Sequence, residues 1–216
     1  TSAGFGMRPA ISDDGQFVAY KDANSNMFVF DRLDGTRQQV NVRSDGTPAN
    51  ANDVNASPAI SGDGRFVAFH SPASNLTDFD TNNTNDIFVF DRELHEIEIV
   101  STNSDGVVAN DRSFSPTLNS NGRFVVFASN ATNLVAGEVS NEQDIYVFDR
   151  KQKKIARISE GPNGQASNGL SISSVLSPDG RIISFESDAS NLVPGDSNEA
   201  RDVFVAPNPL IEPGQT

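Results

Sequence analysis

Cysteine and tryptophan are absent from this 216-residue chain, and histidine occurs only twice. Without cysteine there is no disulfide, no thiolate zinc site and no cysteine nucleophile. Two histidines are too few for a His-rich zinc centre. Basic residues are scarce as well: 16 Lys and Arg stand against 29 Asp and Glu, a net charge of −13. A nucleic-acid binder needs a basic face for phosphates, so that class is set aside. Apolar runs are only a few residues long, too short to span a membrane. No segment keeps a 3.6-residue apolar period, which argues against helix. No Walker or dinucleotide glycine pattern occurs. The only tyrosines are Tyr20 and Tyr146, which weakens a sugar-stacking lectin reading.

What is present is repetition. Hydrophobic residues make up 36% of the chain and include 15 Phe, enough to build a core at this length. Asp14-Gly15-Gln16-Phe17 recurs at Asp63 to Phe66, Asn121 to Phe124 and Asp179 to Ile182, with spacings of 49, 58 and 58 residues. Asp86-Ile87-Phe88-Val89-Phe90-Asp91-Arg92 returns as Asp144 to Arg150, and in part at Asn26 to Arg32 and Asp202 to Ala206. Four units follow: 1–49, 50–107, 108–165 and 166–216.

In the second unit, strands are expected at 57–61, 65–69, 87–91 and 96–101. Asp63-Gly64 forms the first tight turn, because such pairs accept positive φ. The two middle strands are apolar on both faces, and 12 of the 15 Phe fall in strands of this type. Alternate side chains point to opposite faces, so such a sheet must be covered on both sides. Four-stranded antiparallel blades stacked on one another do this, which predicts an all-β propeller. A β-sandwich is the alternative, but its strands normally face water on one side.

The segment SPAISGDGRFVAFHSPASNLTDFDTNNTNDIFVFDR (57–92) resembles the TolB-like, WD-repeat-like propeller family of bacterial envelope and secreted proteins. The resemblance extends over all four units. It implies blades around a central channel and a periplasmic or extracellular location. Its members range from protein-binding modules to gating domains beside hydrolases. Unit one departs by an 11-residue deletion in its long loop. Unit four departs after Val205: Pro207, Pro209 and Pro213 make its fourth strand improbable. The expected propeller thus covers 1–205, with 206–216 as a Pro-rich tail or linker. With the last blade short of a strand, either the ring belongs to a longer protein, the favoured expectation, or four blades close imperfectly.

The sharpest local motif is the loop from Asp78 to Asp86. Oxygen-bearing Asp78, Asp80, Asn82 and Asp86 alternate along it, a pattern that can wrap a hard cation such as calcium. It departs from an EF-hand: Asn83 replaces the turn glycine and Val89 stands where the bidentate Glu belongs. The competing reading is that these side chains cap the loop's own backbone. Glu138, Ser140 and Asp144, then Asp196, Asn198 and Asp202, keep parts of the pattern. The repeated Asp91-Arg92 and Asp149-Arg150 pairs, and Arg65, Arg123 and Arg181, read as structural because catalytic groups do not recur blade after blade. His70 and His95 lack a nucleophile motif nearby and read as ordinary surface or edge residues.

No catalytic residue is assigned, and the chain is not expected to be an enzyme. The favoured function is a non-catalytic interaction scaffold that binds a protein or other ligand through loops at one mouth of the channel. The candidate contact residues are Arg8, Asn52, Asp53, Asn110, Asp111, Arg112 and Asn168; Arg8 and Arg112 are the unrepeated charges among them. The acidic balance favours cationic partners or metal ions. The rival function is an accessory or gating propeller domain of a larger secreted hydrolase, with further blades or a catalytic domain in the parent chain.

Overall fold

The structure is a computed structural model that describes residues 7–137 and 142–211; of Met7 and Arg8 only the backbone is described. The first blade holds β1 (Met7–Ile11), β2 (Phe17–Lys21), β3 (Met27–Asp31) and β4 (Arg37–Gln39). The second holds β5 (Ala59–Ile60), β6 (Phe66–Ser71), β7 (Asp86–Asp91) and β8 (Glu96–Ile99). The third holds β9 (Ser113–Leu118), β10 (Phe124–Ser129), β11 (Asp144–Asp149) and β12 (Lys154–Arg157). A short hairpin, β13 (Glu160–Gly161) and β14 (Gln165–Ala166), then leads to β15 (Ser171–Leu176), β16 (Ile182–Ser187) and β17 (Asp202–Pro207). Strands in each blade pair antiparallel in chain order. Among the described residues the fourth blade has three strands, β15, β16 and β17.

The doubly apolar middle strands explain the stacking. On one face of blade two, Val67, Phe69, Phe88 and Phe90 pack with Ala19, Met27 and Val29 of blade one. On its other face, Ala68, Ile87 and Val89 meet Val125, Phe127, Tyr146 and Phe148 of blade three. Blade three repeats the device towards blade four, with Val126, Ile145 and Val147 against Ile183 and Phe185. Each interface joins small or β-branched residues of one blade to aromatics of the next.

The first turn of each blade explains the recurring glycine. Gly64, Gly122 and Gly180 all have positive φ. A Cβ on Gly64 would lie 2.1 Å from the ring of Phe17, and one on Gly122 would lie 2.3 Å from Phe66. Each turn therefore needs glycine twice over, for its backbone and for the ring of the preceding blade. Arg92 lies over Phe17 at 4.3 Å and donates to the Gly64 carbonyl at 2.7 Å. Arg150 does the same with Phe66 and Gly122. Arg65 and Arg123 grip Asp91 and Asp149 at 2.6 and 2.7 Å. These repeated charges hold turns and strands together. The turns also bond to one another: Asp13 N–H to Gly62 C=O, Asp63 N–H to Ser120 C=O, and Ser120 N–H to Pro178 C=O. The blades meet closely at that end of the channel.

The structure differs from the sequence reading in three places. Residues 206–211 do not begin a linker: β17 runs to Pro207, the Asn208 amide donates to the Gly180 carbonyl, and Leu210 and Ile211 pack against the last core. Residues 212–216 lie outside the described residues. The first strand of blade two is only two residues long. The third is a register change before it. The backbone N–H groups of Asn110 and Asn168 donate to the side-chain oxygens of Asn133 and Asn191, each 23 residues on, whereas in blade two the Asn50 N–H donates to Asn75, 25 residues on. Asn50, rather than Asn52, is thus the counterpart of Asn110 and Asn168. Two extra residues push the segment around Asp53 and Val54 outward.

Candidate functional site

The end of the channel opposite the interlocked turns is built from the starts of the inner strands and the loops before them. Lys21 and His70 stand at or next to the ends of the second strands of blades one and two; at the same repeat position blades three and four carry Ala128 and Glu186. Both are almost fully buried, Lys21 at 1% and His70 at 5% exposure. The extra residues of blade two give them partners. Lys21 donates through Nζ to the Val54 carbonyl, and His70 Nε2 lies 3.6 Å from Asp53 Oδ2. The same Asp53 oxygen accepts from Asn85 Nδ2 at 2.8 Å, and its other oxygen accepts from the Asn55 N–H at 2.7 Å. Burial opposes ionisation of Asp53, but Asn55, Asn85, His70 and Lys21 together outweigh it and hold its pKa below the ordinary value. His70 Nδ1 accepts from the Ser115 N–H at 3.4 Å, and its ring meets Phe114 edge-on. The expectation of an ordinary surface histidine holds for His95, in a tight turn, but not for His70.

Above this buried group lies a small cavity of about 340 Å³, lined chiefly by Asn52, Asp53, Asn83, Thr84, Asn85 and Arg112. Three of the predicted contact residues, Asn52, Asp53 and Arg112, thus come together. Arg112 is exposed, and its guanidinium makes no ion pair with the described residues. Asn110 and Asn168 do not join the cavity. Their side chains clasp Thr132 and Ser190 across the loops, at 2.9 and 3.0 Å, and are structural. Asp111 is exposed and caps the Arg112 N–H. The Arg8 side chain lies outside the described residues. Sequence reasoning missed Lys21, His70 and Asn85; the departure from the repeat at 21, 70, 128 and 186 was the available sign. A wider depression of about 560 Å³ runs along β8 at the outer rim, between Arg43, Asp78, the exposed Phe79 and Ile97.

The loop into β7 splits the four residues expected to bind a cation. Asp78 turns to the surface and pairs with Arg43 at 2.8 Å. Asn82 spends its oxygen on the Thr84 N–H and its amide nitrogen on the Ala109 carbonyl. Asn83 supplies the left-handed turn, with φ of 53°. Asp80 and Asp86 instead point inward, at 7% and 0% exposure. Ser101 donates to one oxygen of Asp86 at 2.6 Å; its other oxygen and both oxygens of Asp80 have no hydrogen-bond partner. Burial pushes the Asp86 carboxyl up to about 7, against the Ser101 bond and the pull of the nearby Asn82 amide and with the charge of Asp80 adding to the rise. Burial raises Asp80 too. Among the described residues no three His, Asp or Glu side chains converge on one point. Glu138 and Ser140 lie outside the described residues.

No protein-family model matches the chain, and no curated protein matches it in sequence. Solved structures do match. Tricorn protease is 14% identical, with a TM-score of 0.56 over 88% of this chain and 20% of its own. An oligogalacturonate lyase in complex with manganese is 13% identical, with a TM-score of 0.59 over 96% of this chain and 52% of its own. The oligogalacturonate lyase of Vibrio parahaemolyticus gives 14%, 0.59, 97% and 52%. The chain therefore spans about half of two of these proteins and a fifth of the third. These neighbours overturn the reading of the chain as a non-catalytic interaction scaffold. A lyase and a protease carry this architecture, so the fold gives no ground for that role. The neighbours are β-propeller proteins, and the chain is an all-β propeller of four blade units, the last with three strands among the described residues.

Proposed function

We propose that the open mouth binds a small polar ligand carrying a carboxylate, as the ligand-admitting propeller part of a larger enzyme. The observation that carries this reading is the exposed Arg112 over a cavity rimmed by Asn52, Asn83, Thr84 and Asn85. A guanidinium fork matches a carboxylate in two parallel hydrogen bonds. Amide and hydroxyl groups around it suit the neutral polar atoms of the same ligand. The pairing of Lys21 and His70 with the Asp53 segment fixes the cavity floor, and these residues depart from the repeat where the fold does not demand them. The side chains at this mouth have a binding role. The partial span of the chain over enzyme neighbours supports this assignment, as does the resemblance of residues 57–92 to TolB-like propellers of the envelope or secreted space.

The test is a titration followed by amide chemical shifts, using oligogalacturonate and a tripeptide with a free carboxyl terminus, each against a neutral counterpart. Shifts are expected at Asn52, Asn83 to Asn85 and Arg112 for the acids. Arg112→Ala should weaken binding about tenfold or more, the loss of the charge-assisted fork. Equal binding of the neutral counterparts, or no binding by either acid, overturns the reading.

A further inference from the structure

Each third strand starts at or just after one polar residue, buried in blades two and three and half-buried in blades one and four, and the blades treat it differently. Blade one uses the neutral Asn26, whose oxygen accepts from Asn52 at 3.2 Å. In blade three, one oxygen of Asp144 accepts two hydroxyls, Ser159 at 2.5 Å and Ser167 at 2.7 Å. In blade four both oxygens of Asp202 receive the Asn198 amide. Blade two keeps the first hydroxyl, Ser101, but Ala109 stands 23 residues after Asp86, where Ser167 stands 23 residues after Asp144. A methyl group has replaced the second donor. Blade two also buries a second carboxylate, Asp80, with neither oxygen bonded, close enough for its charge to act on Asp86. Neither carboxylate forms an ion pair with the described residues. Two buried carboxylates, Asp80 and Asp86, with three unbonded oxygens between them call for a positive charge.

We propose that Asp80 and Asp86 hold a calcium ion between them at the start of β7. All the donors are hard oxygens, and main-chain carbonyls and water complete the shell that calcium takes in irregular geometry. Magnesium, which demands a tight octahedron, suits a two-carboxylate loop less well. Asp78 is outside the site. With only two carboxylates the affinity belongs to the ~10⁻⁴–10⁻³ M class.

The experiment uses protein stripped with EDTA and dialysed, then titrated with calcium chloride or magnesium chloride and followed by calorimetry and thermal melting. Calcium at ten times its dissociation constant should lower the unfolding constant about tenfold and raise the melting temperature; magnesium should do much less. Asp78→Asn should leave the calcium response within about twofold. Asp80→Asn should abolish it while melting no lower than the stripped wild type, because it removes an unpaired buried charge. If Asp80→Asn fails to fold, the wild-type titration and Asp78→Asn still decide. No calcium effect on the wild type, an equal effect of magnesium, or loss of the response in Asp78→Asn overturns the proposal.

Discussion

At the scale of single residues, position in the repeat separates structure from function. Arg32, Arg92 and Arg150 each find a turn carbonyl, and Arg65 and Arg123 each a strand aspartate, so their recurrence means blade construction. The residues that gather at the mouth are the ones that break the pattern. Among the repeated residues, Phe88 is a sharp test of the packing. Its ring is fully buried between blades and stacks on Phe69 at 6.0 Å. Phe88→Ala should cost ~3–5 kcal/mol in a denaturant titration, as large-to-small changes in packed cores do. A loss under about 1 kcal/mol would mean that the ring has no close neighbours. The alternating loop oxygens were legible as a polar motif, but which of them turn inward was not. Asp78 and Asp80 are two residues apart in one loop, and a single surface arginine, Arg43, draws the first outward.

At the scale of the element, a strand's sequence sets its two faces but not whether each face is covered. Ile145 in β11 is 0% exposed, while Val203, at the same repeat position in β17, is 72% exposed. Val147 and Val205 differ in the same way, at 0% and 69%. The outward face of blade four carries the β-branched residues that blades two and three press against the next blade. Ile145→Ala should therefore cost ~2–5 kcal/mol, and Val203→Ala should stay within ~0.5 kcal/mol. Urea unfolding of the two variants side by side checks this; equal costs would show that β17 is covered in solution. The third-strand motif located β7, β11 and β17 to within a residue of their starts. The inner strand β5 was harder, because the two extra residues before it shift the register of its whole approach.

At the scale of the whole molecule, each blade leans on its neighbours through its two faces, and the end blades lack a neighbour on one side. Protection should fall towards the fourth blade, since local opening is easiest where fewest apolar contacts resist it. Amide hydrogen exchange should be slowest in β10 and β11, buried throughout, and distinctly faster in β16 and β17. Uniform protection across the four blades would contradict this gradient. Backbone hydrogen bonds join the first turns of successive blades at one end. The opposite end, where loops of different length meet, is the end at which the chain has room to vary.

Taken alone, the sequence determined the blade. Period-two apolar strands, tight Asp-Gly turns and a repeat of 58 residues leave stacked antiparallel sheets as the arrangement that buries both faces. It also argued against an outer strand in the last unit, since proline serves poorly there. Only the tertiary structure decided which polar residues meet. Lys21, Asp53, His70 and Asn85 come from separate segments of two blades and converge because a loop grew by two residues. Asp86 is left short of a donor because a methyl group at Ala109 replaces a hydroxyl brought in from the following blade. Strand patterning is local and repeats along the chain; the pairing of buried charges depends on distances between loops far apart in sequence, which no single segment specifies.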